Sequence, residues 1–198
     1  MNQRIAPPRN PKPMCQNRNS CGNGNPIRGA CTCGGHCGGA GDINLRPAQP
    51  GDVPTLLALV GELAAYESLG HEFEATADLF MEHFFGSNPR ARALLAFRDG
   101  APVGFAVWFP TYSTFCGKPG AFVEDLYVRP PVRRQGLGRA LLSAVAADAR
   151  SAGCVRLEWR TLKWNDTALG FYHSLGAETL SEWLTLRLNE PHLSGLSK

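Results

Sequence analysis

Val128-Arg129-Pro130-Pro131-Val132-Arg133-Arg134-Gln135-Gly136-Leu137-Gly138-Arg139 joins the end of an apolar run to the longest helical pattern in the chain. A strand ends there, a short loop carries three arginines, two glycines follow, and a helix begins. Unpaired N–H groups at a helix N-terminus, with its positive dipole end, make a site for phosphate. The glycines let a phosphate approach the backbone, and the arginines supply charge-assisted contacts. The stretch is neither the Walker pattern G-x-x-x-x-G-K-[ST] nor the full G-x-G-x-x-G dinucleotide fingerprint. Taken alone, its G-x-G reads equally well as a glycine-rich helix entry.

Outward from this junction the periodicity alternates between two and about 3.6. The following helix spans 135–152, with Leu137, Leu141, Leu142, Val145 and Ala149 on one stripe and Gly153 at the C-cap. The preceding strand is Phe122–Val128. Before it lie a loop rich in Thr, Ser and Gly, the strand Pro102–Phe109, and Ala93–Arg98 joined to it by an Asp99-Gly100 turn. Thr76–Phe85 and a stretch from Asp52 to about Tyr66 read as helices, the latter entered through Asp52 and Pro54. Ile43–Arg46 is a first strand. Downstream, Val155, Leu157 and Trp159 alternate as a strand, Asn165–Leu175 is a helix ended by Gly176, and Trp183–Leu188 alternates as a last strand. This order of elements is an α/β sheet of mixed direction.

Composition divides the 198 residues in two. Residues 1–42 hold five of the seven cysteines, eight glycines, five prolines and five basic residues against the single acid Asp42. Too little of this stretch is apolar to offset chain entropy, so a disordered tail is expected, followed by one domain over 43–198. From Ile43 onward 15 basic residues face 16 acidic ones, a balance that gives no support for nucleic-acid binding. No run approaches the roughly 20 apolar residues that span a bilayer, and no secretory signal opens the chain. A cytoplasmic protein with no membrane partner is the expectation. In the tail, Cys31, Cys33, His36 and Cys37 place three thiols and an imidazole within seven residues, a donor set suited to Zn²⁺ or Cu⁺. The spacing is not the paired C-x₂-C of a zinc finger, and thiols with no specific role are the other reading.

Arg133-Arg134-Gln135-Gly136-Leu137-Gly138 also matches the [Q/R]-x-x-G-x-[G/A] coenzyme A loop of the GNAT N-acetyltransferases, placed between a strand and a helix as in that family. Leu63-Ala64-Ala65-Tyr66-Glu67, Phe109–Phe115, Glu124-Asp125-Leu126-Tyr127-Val128, Trp164-Asn165, Phe171-Tyr172, Leu175-Gly176-Ala177 and Glu182-Trp183 resemble its spermidine/spermine (diamine) acetyltransferase branch. The resemblance covers about 43–190. It implies the GNAT fold, a mixed six- to seven-stranded sheet flanked by about four helices. The implied activity is acetyl transfer from acetyl-CoA directly to a primary amine of a small molecule, and the implied assembly is a homodimer.

By the same resemblance, amides of Arg134 through Arg139 hold the pyrophosphate, while Leu126, Tyr127 and Val128 pair with the pantetheine arm. The Val128 N–H polarises the thioester carbonyl, and Asn165, with Asp166, Thr167 and Ala168, contacts the coenzyme. An alkyl ammonium, with a pKa of about 10.4, needs a base before it can attack. Glu124, acting through water, is the candidate, with substrate anchoring as its other reading. Tyr172 is the acid for the departing thiolate. Tyr66, Glu67, Glu124, Asp125 and Glu182 fall at positions that line the amine pocket. One departure stands out. The branch usually carries an acidic residue before Trp164, whereas this chain has Lys163, with Arg160 three residues earlier. Extra positive charge disfavours a polyamine and suits a lysine- or thialysine-like zwitterion. Two other readings are open: acetylation of a protein amine, and a metal-binding protein whose tail is the functional element.

Overall fold

The structure is a computed structural model and describes residues 42–196. The chain divides after Trp159 into two compact units.

The first unit is built on a five-stranded sheet of β1 (Ile43–Pro47), β2 (Arg92–Arg98), β3 (Ala101–Ser113), β4 (Lys118–Val128) and β5 (Leu157–Trp159), in that spatial order. The first three pairings are antiparallel and β4–β5 is parallel, so the expected mixed α/β sheet forms. The β2–β3 turn is the expected Asp99-Gly100 pair, both residues with positive φ (49° and 75°), as a tight hairpin twist requires. β3 runs farther than its hydrophobic alternation shows. Pro110–Ser113, read as loop, instead pair with Lys118–Ala121.

Side chains alternate across the sheet and both faces are covered. On one face Leu56, Leu59 and Leu63 of α1 (Val53–Tyr66) pack with Leu95, Phe105, Val107 and Tyr127. Phe80 and Phe84 of α2 (Ala77–Phe85) extend that cluster. The buried stripe of α3 (Leu137–Ser151) also packs on the sheet, against β2, β3 and β4. Each fully buried Leu or Phe contributes about 1.5–3 kcal/mol, which makes this sandwich the rigid base for everything at its edge.

One local expectation is revised. Thr76 caps α2 through its hydroxyl, which accepts from the Leu79 N–H at 3.3 Å. Asp52, by contrast, does not cap α1. Its carboxylate takes both Arg46 guanidinium nitrogens (2.5 and 2.8 Å) and the Gln49 N–H (2.8 Å), so Arg46 holds its pKa below the usual range. The pairing ties β1 to the entry of α1, and a partner on another element outcompetes the local cap.

The second unit contains α4 (Asp166–Ser174), capped by the Asn165 side chain, which accepts from the Ala168 N–H at 3.1 Å, and a short α5 (His192–Gly195). Gly176, with φ +86°, ends the α4 region as expected. The expected strand Trp183–Leu188 does not form: Trp183, Leu184 and Leu186 are 67%, 86% and 89% exposed, and no strand of the described residues pairs with them. Alternation supplies a face, but a strand also needs a neighbour for its backbone groups. The sheet therefore has five strands among the described residues, not six or seven.

Gly104 lies opposite Val128, where a Cβ would stand 2.5 Å from the Tyr127 carbonyl oxygen. Gly104→Ala should force β4 outward and lower unfolding stability by about 1–3 kcal/mol, measurable by urea titration. Unchanged stability would show that β4 gives way freely here.

Candidate active site

The site begins with a mismatch in strand length. Val107 pairs with Asp125 and Trp108 with Val123, so β4 carries one extra residue, Glu124, as a β-bulge. Parallel pairing with β5 stops at Val123↔Trp159, immediately before it. From there to Val128 no strand of the described residues pairs with that edge of β4.

Which groups point to the open edge follows from the ladder. The Arg129 N–H donates to the Val103 carbonyl at 2.9 Å, which makes Gly104↔Val128 a non-hydrogen-bonded pair. Val128 and Leu126 therefore direct N–H and C=O away from β3, while Tyr127 directs its own toward β3. Of the three residues expected to pair with an extended ligand, two offer backbone groups and Tyr127 does not. The Val128 carbonyl already accepts from Arg133 Nε at 2.7 Å, leaving the Val128 N–H as the donor at this point of the edge.

Just beyond lies the N-terminus of α3. Arg134 (φ +61°) and Gly136 (φ +83°) take left-handed conformations that turn the chain into the helix. Gly136, the N-cap, has no side chain to cap with, and the first intrahelical bond is Ala140 N–H to Gly136 C=O. The N–H groups of Leu137, Gly138 and Arg139 thus lack intrahelical acceptors. Arg134, Gln135 and Arg139 are exposed around them. Their donor set fits a pyrophosphate. Arg133 behaves differently from its neighbours: its guanidinium lies over the Tyr66 ring at 4.4 Å and is turned inward on Val128.

At the other end of the open edge is a pocket of about 480 Å³ with apolar walls of Val60, Phe80, Phe84 and Phe109, and with Glu124 and Asp125 in its lining. Consecutive residues of a regular strand face opposite sides, so the bulge is what lets both carboxylates reach one pocket. Burial, then the charges of Glu124 and Glu67, push the Asp125 pKa up to about 7. Burial also raises Glu67, at the C-cap of α1. Of the expected substrate residues, Glu124 and Asp125 line the pocket and Glu67 acts on Asp125 electrostatically. Tyr66 is exposed beneath Arg133.

Sequence reading missed Glu62 and Arg129. Arg129 Nη2 and Nε donate to Glu62 at 2.6 and 2.9 Å, Arg129 Nη1 donates to the Pro102 carbonyl at 2.7 Å, and the Tyr127 hydroxyl donates to Glu62 at 3.4 Å. Arg129 accordingly holds the Glu62 carboxyl low. This clamp fastens α1 to the end of β4. No local pattern reveals a pair 67 residues apart.

Asn165, Asp166, Thr167, Ala168, Tyr172 and Glu182 belong to the second unit. There Asn165 serves as the α4 cap, and the half-buried Tyr172 ring stands 5.2 Å from that of Phe171. Glu182 is exposed beside Ser181, and His173 is exposed and bonded to Thr179. Cys154 is buried, as expected of a small apolar filler, and its thiol contacts the Gly120 carbonyl at 3.2 Å. Cys31, Cys33, His36 and Cys37 lie outside the described residues. Among the described residues no three His, Cys, Asp or Glu side chains gather as a metal site, and no helix is long and apolar enough to cross a membrane.

Comparison with known proteins agrees with this geometry. Residues 60–177 match the model of the Acetyltransferase (GNAT) family, and the chain belongs to that family. It is 29% identical to an L-ornithine N5-acetyltransferase of Arabidopsis thaliana, covering 78% of this chain and 87% of that one. A thialysine N-epsilon-acetyltransferase of Bos taurus is 34% identical, covering 71% of this chain and 86% of the relative. An integron cassette protein from V. cholerae shares the fold, with a TM-score of 0.67 at 24% identity, covering 79% of this chain and 98% of that one. The protein is an acyltransferase enzyme, an N-acetyltransferase that uses acetyl-CoA.

The Asp125 carboxyl is protonated in the native state over a range where the unfolded chain ionises. Its contribution to stability is therefore present below the ordinary value of 3.8 and lost as pH rises to about 7. Asp125→Asn should flatten the pH dependence of unfolding between these limits and stabilise the protein at pH 8. The gain should be on the order of 1–2 kcal/mol after allowance for partial solvent access. A urea series at several pH values checks this; parallel curves for the two proteins would refute it.

Proposed function

We propose that the protein transfers the acetyl group of acetyl-CoA in one direct step to the primary amine of a small molecule. The observation that carries this reading is the continuous run of complementary groups along one edge. An uncapped helix N-terminus meets the outward Val128 N–H and Leu126 backbone groups, which lead to a pocket with two carboxylates.

In this reading the amides of Leu137, Gly138 and Arg139 hold the pyrophosphate, with Arg134 and Gln135 beside them. Leu126 and Val128 bind the pantetheine arm as an added strand would bind, through their outward backbone groups. The Val128 N–H donates to the thioester oxygen as negative charge develops there, and it is held for that task because Arg133 anchors the carbonyl of the same residue. The amine enters the pocket as an ammonium. Glu124, through water, takes its proton, and the nitrogen lone pair forms the new C–N bond as the C–S bond breaks. Tyr172 gives a proton to the departing thiolate and is restored by the second proton that the acylated nitrogen sheds, while Asn165 contributes to coenzyme binding.

Relatives named for ornithine and thialysine acetylation support a small amine, and the small pocket supports it independently. The apolar segment 183–188 is assigned to a homodimer contact, because Leu184 and Leu186 stand almost fully exposed. Sedimentation should report a dimer, and a monomer at micromolar concentration would remove that assignment.

Thiol release from acetyl-CoA across diamines, lysine analogues and peptides tests the activity, in the full chain and in a chain lacking residues 1–42. Small amines should turn over with both proteins. Turnover with peptides alone would favour the protein-amine reading, and none with any amine would end the proposal. Tyr172→Phe should lower kcat about 100-fold while acetyl-CoA affinity stays within about twofold. An unchanged kcat would remove Tyr172 from the acid role.

A further inference from the structure

The acceptor pocket contains a charge that recognition of an amine does not use. Arg90 lies in its lining along with Glu124 and Asp125. The residue is held at the α2–β2 connection by its backbone N–H, which donates to the His83 carbonyl at 2.7 Å. Four other arginines of this unit hold a hydrogen bond or ion pair: Arg46 with Asp52, Arg129 with Glu62, Arg133 with Val128, and Arg156 with Glu158. The Arg90 guanidinium has no hydrogen-bond or ion-pair partner among the described residues.

A guanidinium in the same pocket as two carboxylates would ordinarily pair with one of them. Here the charges are kept apart, and the wall of the pocket is apolar, formed by Val60, Phe80, Phe84 and Phe109. The complement of that surface is a molecule with a cation at one end, an anion at the other and methylenes between them.

We propose that Arg90 receives the α-carboxylate of an amino acid that carries a terminal side-chain amine, and thereby selects such acceptors over diamines and polyamines. The planar guanidinium fork matches a carboxylate with two parallel hydrogen bonds and stays charged at every working pH. Selection works by exclusion as well. A diamine of the same length would bring a second ammonium against Arg90, a like-charge contact that disfavours the wrong acceptor. The inference rests on the reading that this pocket receives the acceptor amine. It goes beyond that reading by naming the residue that distinguishes one class of amine from another.

L-Lysine and cadaverine carry the same terminal amine and differ by one carboxylate, so they isolate the contact. Calorimetric titration of each into the full chain with coenzyme A present should show lysine binding about tenfold more tightly, as expected for one charge-assisted contact near solvent. Arg90→Gln should weaken lysine about tenfold and leave cadaverine within about twofold. Arg90→Lys should restore part of the difference, and Arg90→Glu should reverse the order of the two ligands. Equal binding of both by the wild type, no measurable binding of lysine, or parallel weakening of both in Arg90→Gln would overturn the proposal. Because binding is read without turnover, Arg90-dependent discrimination with no acetyl transfer defeats only the transferase reading of the pocket. Transfer to lysine that is indifferent to Arg90 defeats only the role of Arg90.

Discussion

One surplus residue in β4 governs the geometry of the site. With Glu124 inserted opposite the Val107–Trp108 step, the strand bends where its parallel pairing with β5 ends. Two consequences follow from the same bend. The backbone beyond it is left with unpaired donors and acceptors, an arrangement usually guarded against because it templates aggregation. The two consecutive carboxylates Glu124 and Asp125, which a regular strand would place on opposite faces, both enter one pocket. A place to lay an extended ligand and a place to hold its reaction partner are thus made adjacent by a single local irregularity.

Holding that irregularity in place requires support from both sides of the sheet. The Glu62–Arg129 pair binds α1 to the end of β4, and Arg129 also reaches the Pro102 carbonyl at the start of β3. Arg133 grips the Val128 carbonyl from the loop that leads into α3. The positive φ values at Arg134 and Gly136 then aim the helix N-terminus along the same edge. Electrostatically the site works against stability. Burial of Asp125, and after it the nearby charges of Glu124 and Glu67, is what raises its pKa. Such a cost is characteristic of functional sites, where a group able to exchange a proton near neutrality is worth more than an ion pair. Arg90 could have relieved the repulsion and instead stands apart from it.

Much of this was legible in the order of residues. Hydrophobic alternation, and for β4 an apolar run, located the five strands to within a few positions, most sharply for β2, β3 and β4, whose side chains form the core. The helices α1 to α4 were marked by their apolar stripes and by Thr76, Asn165, Gly153 and Gly176 at their ends. Local chemistry was misleading where a distant partner competed. Asp52 left its helix for Arg46, and Trp183–Leu188 had the pattern of a strand but no neighbour to pair with. Glu62 and Arg129 were invisible for the same reason, since nothing near either residue in the chain announces the other.

The sequence by itself determined the class of the molecule: the phosphate-seating glycine loop between a strand and a helix, the acidic pair at Glu124-Asp125, and the motifs of the GNAT family. These are properties of neighbouring residues, and neighbours in sequence suffice to encode them. Only the tertiary structure decided which backbone groups of β4 face outward, that both carboxylates share a pocket, and that Arg90 joins them there with no partner among the described residues. Those facts depend on register, on one bulged residue and on burial, and each is set by elements tens of residues apart meeting across a sheet.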